Sequence, residues 1–282
     1  MDLKSGYPFW ALRHGLGPAF APLADDTRCE LLVIGAGITG ALFADRFARD
    51  GLDVVVLDQR DAGWGSTAAS TALLQYEIDT HMVDLAKRYG EASAVAAYRA
   101  CLEAVEVVRR RAARLRVEQR RADSLYLASS RRDARDMGDE FTLRLKHGFP
   151  VEWLGPAELA SRYRARAHGG LLSRVAAWID PFEMALALLR AATRAGARVH
   201  DRVRVAGLST SSRGARVTTE DGRTIRAERV VIAAGYESQG FLRERVAKNR
   251  SSYAFASDHH VASAHPALDG TMVWESARPY FY

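Results

Sequence analysis

One junction in this chain constrains its fold more than any other feature. The apolar stretch Glu30-Leu-Leu-Val-Ile34 runs straight into Gly35-Ala-Gly37-Ile-Thr-Gly40, a G-x-G-x-x-G turn. A helix pattern follows, with Ile38, Ala41, Leu42, Ala44 and Phe47 at helical spacing, and Gly51 closes it. Asp53-Val-Val-Val-Leu57-Asp58 then reads as a second buried strand. Strand, glycine turn, helix and strand, with an acid at the second strand's end, make the βαβ unit that binds a dinucleotide. Gly35 permits the tight turn. Gly37 removes a side chain so that backbone can approach a pyrophosphate. Gly40 lets the helix pack close on the strand. The amides of Ile38 and Thr39 sit at the helix N-terminus, where partial positive charge favours phosphate. Asp58 can accept hydrogen bonds from ribose hydroxyls.

A chain of 282 residues buries a sizeable core and has room for two domains. No apolar run approaches the length of a membrane span, and residues 1–28 lack a signal-peptide layout, being interrupted by Pro8, His14, Pro18 and Asp25-Asp26. Tyr7, Phe9 and Trp10 in this lead-in are available to pack on the body. Cys29 enters the first strand and Cys101 sits in a helical stretch. They offer neither a disulfide framework nor metal spacing, and a reducing cytoplasm is the expected compartment. The net charge of +6 is carried mainly by arginine, most densely at Arg109-Arg110-Arg111, Arg114, Arg116, Arg120 and Arg121. Glu103, Glu106 and Glu118 are interleaved and no aromatic residues alternate with the arginines. The expectation is a solvated, ion-paired helix face and no nucleic-acid partner.

The remaining pattern alternates. Residues 61–76 are rich in Gly, Ser, Thr and Ala; residues 81–118 read as one or two long helices broken near Gly90. Ser124–Ala128 and Val151–Leu154 are strand-like, with a polar helix over 131–147 between them. Gly170-Leu-Leu and Ala176–Ile179 look extended. Asp180-Pro181 is an N-cap followed by a proline suited to the first turn of a helix that ends at Gly196. Short strands follow at 197–200 and 203–205. Asp221-Gly222 marks a hairpin between Arg216–Thr219 and Arg223–Ile225. Val230–Ile232 is a buried strand ending in the small-residue turn Ala233-Ala-Gly235. Ser252–Phe255 and Thr271–Trp274 read as antiparallel strands. The chain therefore looks interlaced: one α/β sheet from about 29–60 and 170–240, and a mostly antiparallel unit from about 120–168 and 250–282. The domain boundaries expected are 1–118 with 169–249, and 119–168 with 250–282.

In order and content these motifs resemble the FAD-dependent amine oxidoreductases, a family that includes D-amino-acid oxidase, glycine oxidase, sarcosine oxidase and gamma-glutamylputrescine oxidase. The motifs are GAGITG at 35–40, Asp58-Gln-Arg60, Gly65-Ser-Thr-Ala-Ala-Ser70 and Val230–Gly235, joined by the Asp180-Pro181 helix. The resemblance implies a Rossmann-like FAD-binding domain interlaced with an antiparallel α+β substrate domain. It puts Asp58 on the adenosine ribose and Arg60 near the adenine. Gly65, Ser66, Thr67 and Ser70 would lie along the pyrophosphate and reach the flavin, Val203 would read the adenine edge through its backbone, and Ala233 and Gly235 would flank the cofactor. It also implies oxidation of the C–N bond of an amine or amino acid by hydride transfer to flavin, with the final electron acceptor left open. Relatives that attach FAD to a histidine have that residue where Ala69 stands here, so FAD is expected to bind non-covalently.

The resemblance implies that an arginine on a late strand pairs with a substrate carboxylate. Arg278 is the candidate, with Tyr280 beside it; the alternative is an ordinary strand with one solvent-facing arginine. His259-His260 and His265 near Asp258 read as loop histidines and no metal is expected. Family members continue beyond Arg278–Tyr282 with a strand, a Gly-Gly turn and a flavin-capping helix, so the chain looks short at its C-terminal end and its turnover is expected to be poor. Two other readings stay open on sequence: a nicotinamide-dependent dehydrogenase, which the glycine turn with Asp58 also suits, and a non-catalytic FAD-binding fragment.

Overall fold

The computed structural model of the chain describes residues 6–15, 17–248, 253–254 and 268–278. In chain order, α1 (Phe9–His14) precedes β1 (Thr27–Ile34), α2 (Ile38–Arg49) and β2 (Val54–Leu57). Next come β3 (Leu73–Gln75), α3 (Met82–Tyr89), α4 (Glu91–Leu115), β4 (Gln119–Leu127), α5 (Arg131–Lys146), β5 (Val151–Leu154), α6 (Pro156–Tyr163) and β6 (Gly170–Ile179). Then follow α7 (Pro181–Arg194), β7 (Arg198–His200), β8 (Val205–Ser211), β9 (Gly214–Thr219), β10 (Thr224–Ile232), a 3-10 turn over Gly235–Phe241, and β11 (Thr271–Glu275).

These elements form two compact units. The first comprises Met1–Thr71 and Asp180–Ala256, the second Ala72–Ile179 and Ser257–Tyr282. The boundaries differ from the expected ones. Residues 72–118 and 169–179, which the sequence pattern assigns to the first domain, pack in the second. The cause is strand pairing. β6 pairs antiparallel with β3, β4 and β5, so it is a central strand of the second sheet.

The first unit holds a six-stranded sheet in the order β7-β2-β1-β10-β9-β8. β1 pairs in parallel with both β2 and β10, the latter in the register Ile34↔Ile232. β9 and β10 form the expected hairpin around Asp221-Gly222, where Gly222 takes φ +86°. β8 extends it, and begins only at Val205, so Val203 lies in the connection before it. One face of this sheet buries Leu32, Ile34, Val55, Leu57, Val217 and Ile225 in a single cluster. α2 and α7 pack on one another, and α2 also packs on β1 and β2. Asp180 caps α7 as read: its Oδ1 accepts from the amides of Phe182 at 3.1 Å and Glu183 at 2.9 Å. Of the lead-in aromatics, Trp10 is buried, whereas Tyr7 and Phe9 are exposed.

The second unit has a five-stranded sheet, β11-β4-β6-β3 with β5 paired to β6. It is mostly antiparallel, but β11 pairs with β4 in parallel, a departure from the antiparallel expectation for Thr271–Trp274. The strand expected over 252–255 rests on Ser252 and Phe255, which lie outside the described residues, as do Asp258, His259, His260, His265 and Tyr280. Gly90, at φ +86°, separates α3 from α4. Between helices and sheet sits a buried charge network. Arg144 donates to Glu140 at 2.7 Å, lies 3.8 Å from Glu77, and stands over the rings of Tyr76 and Tyr98. Glu140 also accepts from the first-turn amides Met82 and Val83 of α3. At the surface, Arg109 and Arg110 both pair with Glu106, and Arg120 pairs with Glu118. Among the described residues no helix is long and apolar enough to cross a membrane.

Candidate cofactor-binding cleft

The glycine turn is built by contacts that leave no room for side chains at two of its three positions. Gly35 has φ +110°, and a Cβ there would lie 2.3 Å from the carbonyl oxygen of Ala233. At Gly40 a Cβ would lie 1.8 Å from the carbonyl oxygen of Gly35. These close approaches lock α2 onto β1 and β1 onto the end of β10. Gly37 is different. Its φ of −74° suits any residue, and an added Cβ meets only the Thr67 hydroxyl at 3.0 Å. The space beside Gly37 is a cradle, not a packing contact.

That cradle belongs to a cleft of about 460 Å³ within the first unit, a size suited to a small-molecule ligand. Gly35, Gly37, Ile38, Thr39, Asp58, Arg60, Gly65, Ser66, Thr67, Ser70, Val203, Ala233 and Gly235 all line it. Gly40 does not; its role is the close packing just described. The cleft sits at the C-terminal ends of β1 and β2, where open α/β sheets place their ligands.

Asp58 is a half-buried acid of the cleft. Its Oδ2 accepts from the amide of Ala36 at 2.7 Å and its Oδ1 from the amide of Arg60 at 2.8 Å. Burial pushes its carboxyl above the usual range, against the two amides and the Arg60 guanidinium, which favour the charged form. Each carboxylate oxygen has capacity for a further donor, so ribose hydroxyls can be received without breaking either bond. Arg60 is held by Glu237 in a two-point pair, both contacts at 3.0 Å, and the Gln59 amide donates to the same carboxylate. The Arg60 hydrogen bonds keep the Glu237 carboxyl below its ordinary range.

Two expected details come out differently. The amide of Ile38, read as offered to phosphate, donates to Thr67 Oγ1 at 3.0 Å. Gly37 has no side chain with which to cap α2, and the Ser/Thr loop supplies the missing acceptor. The Val203 amide, read as facing an adenine edge, donates to the Asp58 carbonyl at 2.7 Å, which pins the β7–β8 connection to the end of β2. Sequence reasoning also missed cleft residues. Glu237 carries no local signal, since its role depends on Arg60 far away in the chain. Arg204, Phe241 and Pro181 also line the walls. Pro181 is legible as the first residue of α7, but not as a wall residue.

Arg278 lies in the second unit, exposed, after β11. Its positive charge bears on the phenol of Tyr126, which stacks on Trp274 with ring centroids 3.7 Å apart. His14, Asp180 and Glu183 bring three possible metal-ligand atoms together among the described residues. There His14 Nε2 and Asp180 Oδ2 are hydrogen-bonded to one another at 2.5 Å.

Comparison with known proteins gives a consistent picture. A family model described as "DAO: FAD dependent oxidoreductase" matches residues 30–282. Glycine oxidase from Geobacillus kaustophilus (strain HTA426) is 26% identical over 216 residues, covering 74% of this chain and 55% of that protein. Gamma-glutamylputrescine oxidoreductase from Escherichia coli (strain K12) is 26% identical over 187 residues, covering 64% of this chain and 43% of that protein. The crystal structure of the Geobacillus kaustophilus glycine oxidase superposes with a TM-score of 0.64 at 22% identity, covering 75% of this chain and 56% of that one. This structural likeness shows a shared fold. The chain thus spans about half the length, or less, of these curated relatives.

Proposed function

Because this chain belongs to the DAO family of FAD dependent oxidoreductases, we propose that it oxidises the C–N bond of a small amine or amino acid, with the 460 Å³ cleft as its FAD site. The observation that carries the residue assignment is the cradle at Gly37. It is a glycine whose backbone does not need to be glycine, placed where a Cβ would project against the Thr67 hydroxyl in the cleft wall. A close-lying pyrophosphate explains that choice, as steric demands at Gly35 and Gly40 do not. A nicotinamide cofactor is set aside by the family.

When bound, FAD supplies a two-electron acceptor that takes hydride from a carbon bearing nitrogen. The chain's own residues bind and orient it. Asp58 would hold the ribose hydroxyls, its half-buried carboxylate fixed by the amides of Ala36 and Arg60. Arg60, aligned by Glu237, would lie beside the adenine. The Thr67 hydroxyl, which fixes Ile38, and the loop Gly65–Ser70 line the pyrophosphate path. The Ala233–Gly235 turn, which lines the cleft at the end of β10, would face the cofactor. FAD is bound without a covalent link: the position a histidine would need is Ala69, and neither cysteine lines the cleft. Burial pushes the Cys29 thiol up to about 12, so it is an inert core group. The free thiols accord with a reducing cytoplasm. On the substrate side, Arg278 is the proposed partner of a carboxylate, since its guanidinium matches that shape.

The test is the visible spectrum of the purified protein followed by anaerobic titration with amines and amino acids. A flavin spectrum bleached by one of them supports the proposal in full. A flavin spectrum that no amine or amino acid bleaches supports the cofactor site and refutes the reaction. A colourless protein that takes up no added FAD refutes both.

A further inference from the structure

The family match begins at residue 30, yet α1, wholly outside it, makes two long-range bonds, one to a cleft-lining residue and one to the residue that precedes another. The Trp10 indole N–H donates to the carbonyl of Ser70 at 2.8 Å, and Trp10 is only 4% exposed. Ser70 lines the cleft and ends the loop 63–70. Four residues further on, His14 Nε2 meets Asp180 Oδ2 at 2.5 Å. Asp180 is fully buried and uses its other oxygen to cap α7, whose first residue, Pro181, lines the cleft. One turn and a half of helix therefore ties Ser70 to the start of α7.

The near part of loop 63–70 is anchored in the core: Trp64 packs edge-on against Phe182, and Thr67 and Ala68 are buried. Gly63 donates to Ala36, and Thr67 accepts from Ile38, so its near end is fixed to the glycine turn. Beyond Thr67 the backbone bonds are local turns: Ala68 to Gly65, Ala69 to Ser66 and Ser70 to Thr67, at 3.2–3.3 Å. Short turn bonds of this kind open readily. The Trp10 bond adds a long-range tie at Ser70, the far end. Resting on the reading of this cleft as the FAD site, we infer that α1 is a clamp: Trp10 and His14 are positioning residues that preorganise loop 63–70, and so raise cofactor affinity beyond what the family fold alone provides.

The test compares Trp10→Phe, which keeps the ring and deletes the donor, and His14→Ala with Leu12→Ala, a control on the exposed side of the same helix. Two measurements are made on each folded protein: hydrogen exchange of the apoprotein, and FAD affinity by flavin fluorescence. The clamp is supported if Trp10→Phe and His14→Ala speed exchange of the 68–70 amides about threefold to tenfold, the change expected from one net hydrogen bond. FAD should bind weaker by a similar factor, exchange in β2 should be unchanged, and Leu12→Ala should do nothing. Exchange that is unchanged in the loop, or that rises equally in β2, overturns it. So does faster loop exchange with undiminished FAD binding. If wild type takes up no FAD while exchange rises only in the loop, the mechanical clamp stands and the cofactor reading falls.

Discussion

Substituting alanine at Gly40 and at Gly37 should separate the fold of the cleft from its use. At Gly40 the new Cβ would stand 1.8 Å from the Gly35 carbonyl oxygen, 2.9 Å from its carbon and 3.2 Å from Val33 Cγ1. Contacts under 3.0 Å do not occur for real Cβ atoms, so α2 must retreat from β1 by roughly 1 Å or more. Backbone cannot swing aside as a side chain can, and α7 packs behind α2. Forcing one methyl into a filled core costs about 1–3 kcal/mol, and backbone displacement places Gly40→Ala at the upper end. For a unit of this size the expected drop in melting temperature is roughly 4–12 °C. Gly37→Ala should differ in kind. Its backbone is compatible with alanine, and the one close neighbour is a side-chain hydroxyl that need give by only a few tenths of an ångström. Apoprotein stability should shift by less than about 1 kcal/mol, with a small gain possible from a stiffer unfolded chain. FAD affinity should nevertheless fall at least tenfold, or about 1.4 kcal/mol, and Gly37→Val should abolish binding. Scanning fluorimetry of the apoproteins and flavin titrations provide the two readouts. Equal destabilisation by both alanines, or wild-type FAD affinity in Gly37→Ala, would refute the division of labour.

Four further outcomes are expected. Asp58→Ala should weaken FAD by about 1–3 kcal/mol, through loss of charge-assisted bonds. Because burial raises the native Asp58 pKa, its contribution to apoprotein stability is full below pH 3.8 and declines as pH rises through its native value; Asp58→Asn should flatten that part of the stability–pH curve, and an unaltered slope counts against the burial argument. Acid or heat should release flavin into the supernatant, and colour retained by precipitated polypeptide would contradict non-covalent binding. Arg144→Ala should destabilise the second unit by about 3–5 kcal/mol, since Glu140 and Glu77 would be left buried without their cation; chemical denaturation showing under 1 kcal/mol would overturn that.

What was legible in the sequence was local. The glycine turn, the Asp180 cap and the Asp221-Gly222 hairpin are each specified within a few residues, by φ values, a side-chain acceptor or alternation. The partition of the chain was not. β6 is as apolar as a strand of the first sheet, and only its pairing with β3, β4 and β5 assigns it to the second. The same limit applies in the cleft. Gly37, Asp58 and Ser70 carry motif signals, whereas Glu237 acquires its role only when β10 returns beside β1 and brings it to Arg60. The hydrogen bond from Ile38 to Thr67 likewise depends on a loop folding back over a helix start that glycine leaves uncapped.

The parallel pairing of Ile34 with Ile232 imposes an order on synthesis. When β1 leaves the ribosome its neighbour β10 does not yet exist. At 5–20 residues per second it arrives about 10–40 s later. Meanwhile β1 can pair with β2 but presents a bare, apolar edge on its other side, the kind of edge that invites foreign strands. The intervening segment need not wait. It begins and ends as a stem, with Leu73 opposite Trp178 and the Ile179 amide on the Ala72 carbonyl. β3 to β6 can therefore pair as soon as residue 179 emerges, although β4 keeps an open edge until β11 follows.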